Sequence, residues 1–158
     1  MQYANYQAAA GNPAEEIRRM VELAFLTPLQ GEAVNEEKLK AFFQSDLYRR
    51  MAASPQVLRE HKFMASLPVT QIDPTLPKEL EGEQVVVQGI TDCLFCEEDG
   101  FVLVDYKTDK VKTPEELVAR YKDQLQLYAK MLQSNSKIQV KELLLYSFCL
   151  NQEISIPL

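Results

Sequence analysis

In the first third of the chain, apolar side chains recur every three or four residues. Asn12-Pro13-Ala14-Glu15 offers an N-cap residue, proline at the first helical position and a Glu in the first turn. Ile17, Met20, Val21, Ala24 and Phe25 follow at helical spacing until Pro28 stops the run. Gln30-Gly31-Glu32 reads as a loop. Asn35-Glu36-Glu37-Lys38 then opens a second helix, with Leu39, Phe42, Phe43 and Leu47 on one stripe. Ser45-Asp46 begins a further short helix through Met51, closed by Ser54-Pro55.

Beyond this point the pattern changes to alternation. Val57 to Val69 reads as extended, and Pro74, Pro77 and Gly82 mark a loop through Glu83. Val85 to Cys96 and Phe101 to Lys107 are rich in β-branched and aromatic residues and read as strands, joined by the turn Glu97-Glu98-Asp99-Gly100. Thr113-Pro114-Glu115-Glu116 has the form of a capping box and predicts a helix to about Gln133, ended by Ser134-Asn135-Ser136. Val140 to Leu150 and Glu153 to Pro157 are the last strands. The expectation is one α/β domain over 1–158, with a helical part over 1–54 and a sheet part over 55–158.

The hairpin carries the candidate chemistry. Asp105 and Lys107 are two apart on one strand and share a face. If Cys96 closes the turn opposite Phe101, Asp92 falls opposite Asp105. A tighter turn sets Asp92 opposite Lys107, and a three-residue loop turns it to the other side. Opposed residues have Cβ atoms about 4.5–5.5 Å apart. Two carboxylates that close repel unless one is protonated or a cation lies between them. A divalent ion resolves the conflict, and hard oxygen ligands suit Mg2+, with Mn2+ as a substitute. Such an ion beside a lysine suits phosphodiester hydrolysis. The plainer reading is an exposed hairpin with a surface Asp–Lys pair. Against it, valines and leucines flank these charges as in a buried central pair, and Gly89 marks a close approach of backbone or ligand.

Leu117, Tyr121, Gln124, Tyr128 and Met131 lie on one helical face. Either they are a core stripe holding one satisfied glutamine, or Gln124 and Tyr128 reach the acids and bond the lysine or a phosphate.

Composition narrows these readings. The 158 residues suit one core, and 46% apolar with 25% charged residues is ordinary globular usage. No run of about 18–20 apolar residues is present to cross a bilayer, and the N-terminus lacks the pattern of a signal peptide, so a cytoplasmic location is expected. The net charge is −6, with a pI near 4.9. This argues against a protein that coats nucleic acid but leaves an acidic metal site open. Cys93, Cys96 and Cys149 form no disulfide framework, and Cys93 and Cys96 point to opposite faces of their strand.

Gly89-Ile90-Thr91-Asp92, Asp105-Tyr106-Lys107-Thr108-Asp109 and Gln124-Leu125-Gln126-Leu127-Tyr128 together resemble the ordered motifs of RecB-type PD-(D/E)XK nucleases. Among these, the likeness is strongest to the C-terminal nuclease domains of AddA-type helicase–nuclease subunits. It extends to Phe42-Phe43-Gln44-Ser45-Asp46-Leu47, Leu58-Arg59-Glu60-His61-Lys62-Phe63 and Val87-Gln88-Gly89, firmly from Leu39 to Tyr128.

The resemblance implies a restriction-endonuclease-like fold, a mixed central sheet flanked by helices. It implies Mg2+ held by Asp92 and Asp105, with the Tyr106 carbonyl as a further ligand. Lys107 is then the catalytic lysine, and Gln124 and Tyr128 the supporting motif. The implied activity is DNA exonuclease in double-strand-break repair and recombination. The implied partners are single DNA strands from an unwound duplex, a helicase portion of the same chain and an AddB-type subunit. Lys110, Lys112, Arg120 and Lys122 are candidates to touch DNA. The alternative is a silent nuclease-fold module for docking DNA or a partner subunit.

Two features depart from the family. Its metal-binding histidine helix is not evident, since the sole histidine, His61, falls in a strand with parity opposite Glu60 and reads as structural. There is also no Gly-x-x-x-x-Gly-Lys-Ser/Thr loop for ATP, so the chain reads as a piece of a longer one.

Overall fold

The computed structural model describes residues 1–72, 75–80, 82–135 and 138–158. Five short helices come first: α1 (Tyr6–Gly11), α2 (Pro13–Glu22), α3 (Pro28–Ala33), α4 (Glu36–Phe43) and α5 (Asp46–Ala53). Side-chain caps begin each of them, because the first N–H groups of a helix lack internal partners. Asn12, Asn35 and Ser45 accept from the N–H groups of Glu15, Lys38 and Tyr48, as their sequence positions predict.

Two of these helices are additions to the sequence reading. Asn5 caps α1, which carries no apolar stripe to announce it. The Gln30-Gly31-Glu32 segment, expected as a loop, lies within α3, where Thr27 and Gln30 exchange side-chain and backbone hydrogen bonds at 2.9 and 3.2 Å. Pro28 therefore opens a helix, and that reciprocal cap outweighs the glycine's low propensity.

The strands are β1 (Val57–Pro68), β2 (Gln84–Glu97), β3 (Gly100–Lys107), β4 (Val140–Ser147) and β5 (Gln152–Ile156). A single turn of helix, α6 (Val69–Ile72), and a 3-10 turn (Lys78–Leu80) lie in the segment expected as loop. Pro74 of that loop and Ser136 of the expected helix end lie outside the described residues. The helix α7 (Pro114–Asn135) links β3 to β4.

The five strands form one mixed sheet in the order β1-β2-β3-β4-β5, a restriction-endonuclease-like α/β arrangement. Only β3 and β4 run parallel, as the crossover through α7 requires. Between β2 and β3, Cys96 faces Phe101 and Glu97 faces Gly100. Gly100 has φ +146, and a Cβ there would meet the Gln139 carbonyl oxygen at 2.9 Å.

Each face of the sheet has its own core. Cys93, Phe95, Val102, Val104 and Tyr146 pack on Phe42, Phe43, Leu47 and Met51 of α4 and α5. Leu94, Leu103, Leu143 and Leu145 pack on Leu117, Leu125, Ala129 and Leu132 of α7. The strand acids have the parity of this second set, so they lie on the α7 side.

Candidate active site

β2 and β3 share their last pair at Cys93 and Val104. Continuing that register brings Asp92 level with Asp105. The ladder stops there, however, and Asp92 Oδ2 instead accepts a hydrogen bond from the Tyr106 N–H at 2.8 Å. One carboxylate is thus tied to the backbone between Asp105 and Lys107. On its other side, Asp92 is level with Glu60 of β1, a position that the β1–β2 ladder skips. Glu60 has φ 51, in the left-handed region.

Asp105 and Lys107 project from β3 on one face, each side chain only 14% exposed, with Lys107 Nζ 2.6 Å from Asp105 Oδ2. That contact is an ion pair, and among the described residues no further donor reaches this buried oxygen. Burial pushes the Asp105 carboxyl up to about 6; Lys107 opposes that rise, and the Asp92 charge adds to it.

An under-satisfied buried carboxylate beside a second acid is a donor set that a hard divalent cation would complete. Asp92, Asp105 and the backbone between them therefore fit such an ion in chemical type. Among the described residues, no group of three or more His, Cys, Asp or Glu side chains converges to hold a metal.

From α7, Tyr121 lays its ring against the lysine, with Lys107 Nζ 3.7 Å from the ring centroid. The Tyr121 hydroxyl donates to Asp109 Oδ1 at 2.9 Å, and Arg120 Nη1 lies 3.2 Å from the same oxygen. These contacts hold the Asp109 carboxyl below its ordinary range, the tyrosine contributing most. In the sequence Tyr121 stands out only as a member of the stripe from Leu117 to Met131. Its position one turn before Gln124, on the helix face turned to the strand acids, was the available signal.

Gln124 Nε2 donates along its own helix to the Tyr128 hydroxyl at 3.0 Å. The Tyr128 ring meets Phe63 edge-on at 5.0 Å. Phe63 in turn lies over Gly89, where a Cβ would stand 2.5 Å from the ring. The close approach that Gly89 permits is therefore to a phenylalanine. The structure brings Tyr121, rather than Gln124 or Tyr128, into contact with Lys107.

The remaining candidates are dispersed. Lys110, Lys112 and Lys122 are exposed. Arg120 is engaged by Asp109 and Glu116. His61 is half-buried opposite Thr91, whose hydroxyl reaches its carbonyl at 3.4 Å. All three cysteines are free, with Cys93 Sγ 3.6 Å from Met51 Sδ. The Tyr106 side chain lies on the opposite face from Asp105, edge-on to Phe42 at 5.5 Å.

A mixed sheet between two helical layers, with Asp92 beside an Asp-x-Lys strand, defines a class, and the whole-chain comparison agrees. Residues 2–153 match the PD-(D/E)XK nuclease superfamily, and the chain belongs to it.

Its relatives include ATP-dependent helicase/nuclease subunits of the AddA type. The protein from Thermoanaerobacter sp. (strain X514) is 45% identical over 136 residues, covering 85% of this chain and 11% of the relative. That from Clostridium perfringens (strain 13 / Type A) is 43% identical over 149 residues, covering 90% and 12%. That from Clostridium novyi (strain NT) is 40% identical over 144 residues, covering 89% and 12%. The chain thus spans about a tenth of the length of the curated relatives it matches. Among the described residues, no helix is long and apolar enough to cross a membrane.

Proposed function

We propose that this chain is the Mg2+-dependent DNA nuclease portion of a longer, cytoplasmic, ATP-dependent helicase–nuclease that acts in double-strand-break repair. The observation that carries this reading is the meeting of Asp92 with the Asp105-Tyr106-Lys107 segment. One acid is fixed to the Tyr106 N–H at 2.8 Å, and the other is buried against an amine at 2.6 Å. Asp92, Asp105 and the Tyr106 carbonyl would hold the ion, for which Mn2+ would substitute. When bound there, it would supply Lewis acidity toward a phosphodiester and toward water.

The chain's own residues do the rest. The Tyr106 N–H fixes one Asp92 oxygen and so aims the other. Lys107, mostly shielded from solvent, steadies the negative charge that grows on the phosphate, where a low local dielectric strengthens the attraction. Gln124 and Tyr128 present an amide and a hydroxyl one and two turns beyond the lysine contact, to bind the scissile phosphate or its neighbour. Lys110, Lys112 and Lys122 are exposed and free to meet the phosphates of a single strand from the unwound duplex. The relatives' name supports a helicase portion in the same chain, and the resemblance supports an AddB-type partner and exonucleolytic cutting.

The test measures Mg2+-dependent nucleotide release from DNA by the wild type, Asp105→Asn and Lys107→Met. Loss of cleavage by both variants, with DNA binding kept, is expected. Undiminished cleavage by either overturns its assignment. Failure of Mg2+ and Mn2+ to bind the wild type in a titration would instead favour a silent docking module.

A further inference from the structure

We propose that Tyr121 is a positioning residue that holds the Lys107 amine in register with Asp105. The inference rests on the catalytic reading of Lys107. A lysine side chain carries a compact charge on a flexible stem, so its carboxylate partner alone leaves it many rotamers. Here the amine is bounded on two sides, by Asp105 Oδ2 at 2.6 Å and by the Tyr121 ring at 3.7 Å from its centroid. An aromatic face attracts a cation through its quadrupole, and the attraction grows as water is excluded.

The ring is itself secured. Its hydroxyl donates to Asp109 at 2.9 Å, and Arg120, the preceding residue of α7, holds the same carboxylate oxygen. Asp109 follows β3 by two residues, while Tyr121 lies in the second turn of α7. The contact therefore ties the strand that bears the lysine to the helix that covers it.

A purely structural tyrosine would fill the same space, so the test must separate the aromatic face from apolar volume. Tyr121→Phe keeps the ring and loses the tether to Asp109; Tyr121→Leu removes the ring, and Tyr121→Met replaces it should the leucine variant not fold. In the purified protein, with DNA and Mg2+, the phenylalanine variant should keep kcat within a few-fold. The leucine or methionine variant should lose about tenfold or more in kcat with KM nearly unchanged. By NMR, the Lys107 ε-methylene protons should be shifted upfield by the ring in the wild type and in Tyr121→Phe, and unshifted in the ring-less variants.

Equal impairment of the phenylalanine and leucine variants overturns the inference. So does an unshifted lysine in the wild type. Lys107→Met, measured alongside, separates the two levels. If it cleaves normally, the catalytic reading of Lys107 fails whatever the ring does. If it is inactive while Tyr121→Leu turns over like the wild type, only the role of Tyr121 fails.

Discussion

Glu60 stands level with Asp92 across β1 and β2, and there the ladder between Val57 and Pro68 leaves out a pair. The register is the same on both sides of the gap, so no residue has been inserted; the strand turns through a left-handed residue and resumes. A left-handed backbone costs a residue with a Cβ roughly 1–2 kcal/mol, which glycine avoids at some cost in unfolded-chain entropy. Glu60→Gly should therefore hold or slightly raise the melting midpoint. Glu60→Val, branched at Cβ, should lower it by roughly 2–4 °C per kcal/mol lost. Thermal melts of the two variants check the order, and a valine variant as stable as the glycine variant would contradict it.

Asp105 gives a pH dependence of definite sign. Burial raises its folded-state pKa to about 6, above the ordinary carboxylate value, so the folded state binds this proton more tightly than the unfolded state. Its contribution to stability is full below about pH 4 and is lost as pH rises through about 6. Without divalent ions, Asp105→Asn should be more stable than the wild type at pH 7 by about 1–2 kcal/mol, a margin that vanishes toward pH 4. Melts across this range in chelator provide the comparison. A variant less stable than the wild type at pH 7 would refute the expectation.

The far end of the β2–β3 hairpin has the opposite sign. Arg50 grips Glu97 through two nitrogens at 2.9 and 3.1 Å, Lys141 adds a contact at 2.6 Å, and Glu142 and Asp99 complete the cluster. Arg50 first and Lys141 second hold the Glu97 carboxyl down to about 2. Its contribution is present above the ordinary value near 4.5 and is lost as pH falls through about 2. Because the group is partly solvated, the effect is discounted. Glu97→Gln should cost about 1–2 kcal/mol at pH 7 and progressively less in acid. A constant deficit across pH would show that packing, not charge, explains the loss.

Gly89→Ala should destabilise by about 1–3 kcal/mol, because the new methyl meets the Phe63 ring, which must then shift out of its packing on Tyr128. Phe63 carries Tyr128 edge-on, so the variant should also lose activity. Adding Phe63→Leu should restore much of the melting midpoint. If the double variant melts below Gly89→Ala, the ring is not the source of the clash.

What could be read beforehand divides along physical lines. The β2–β3 register and the shared face of Asp92, Asp105 and Lys107 follow from short-range rules, strand alternation and an Asp-Gly turn. The same holds for the capped helices at Asn12, Asn35 and Ser45. The helices α1 and α3 were not legible because their nuclei are side-chain caps without an apolar stripe. The left-handed Glu60 had no local signal, since glutamate rarely adopts that region. The Tyr121–Lys107 contact was hidden for another reason: it joins a helix to a strand, and only tertiary packing decides which residue of a helical stripe meets the amine.

β2 belongs to two ladders at once, and Asp92 is the first residue beyond the pairs it shares with β3. A sheet strand has only two settings for a side chain, above or below, so displacing β2 by a single residue would swing this acid to the side of α4 and α5 and bring a threonine or a cysteine into its place. The geometry at Lys107 is consequently digital: the hairpin can be correctly threaded or useless, with no partial setting between.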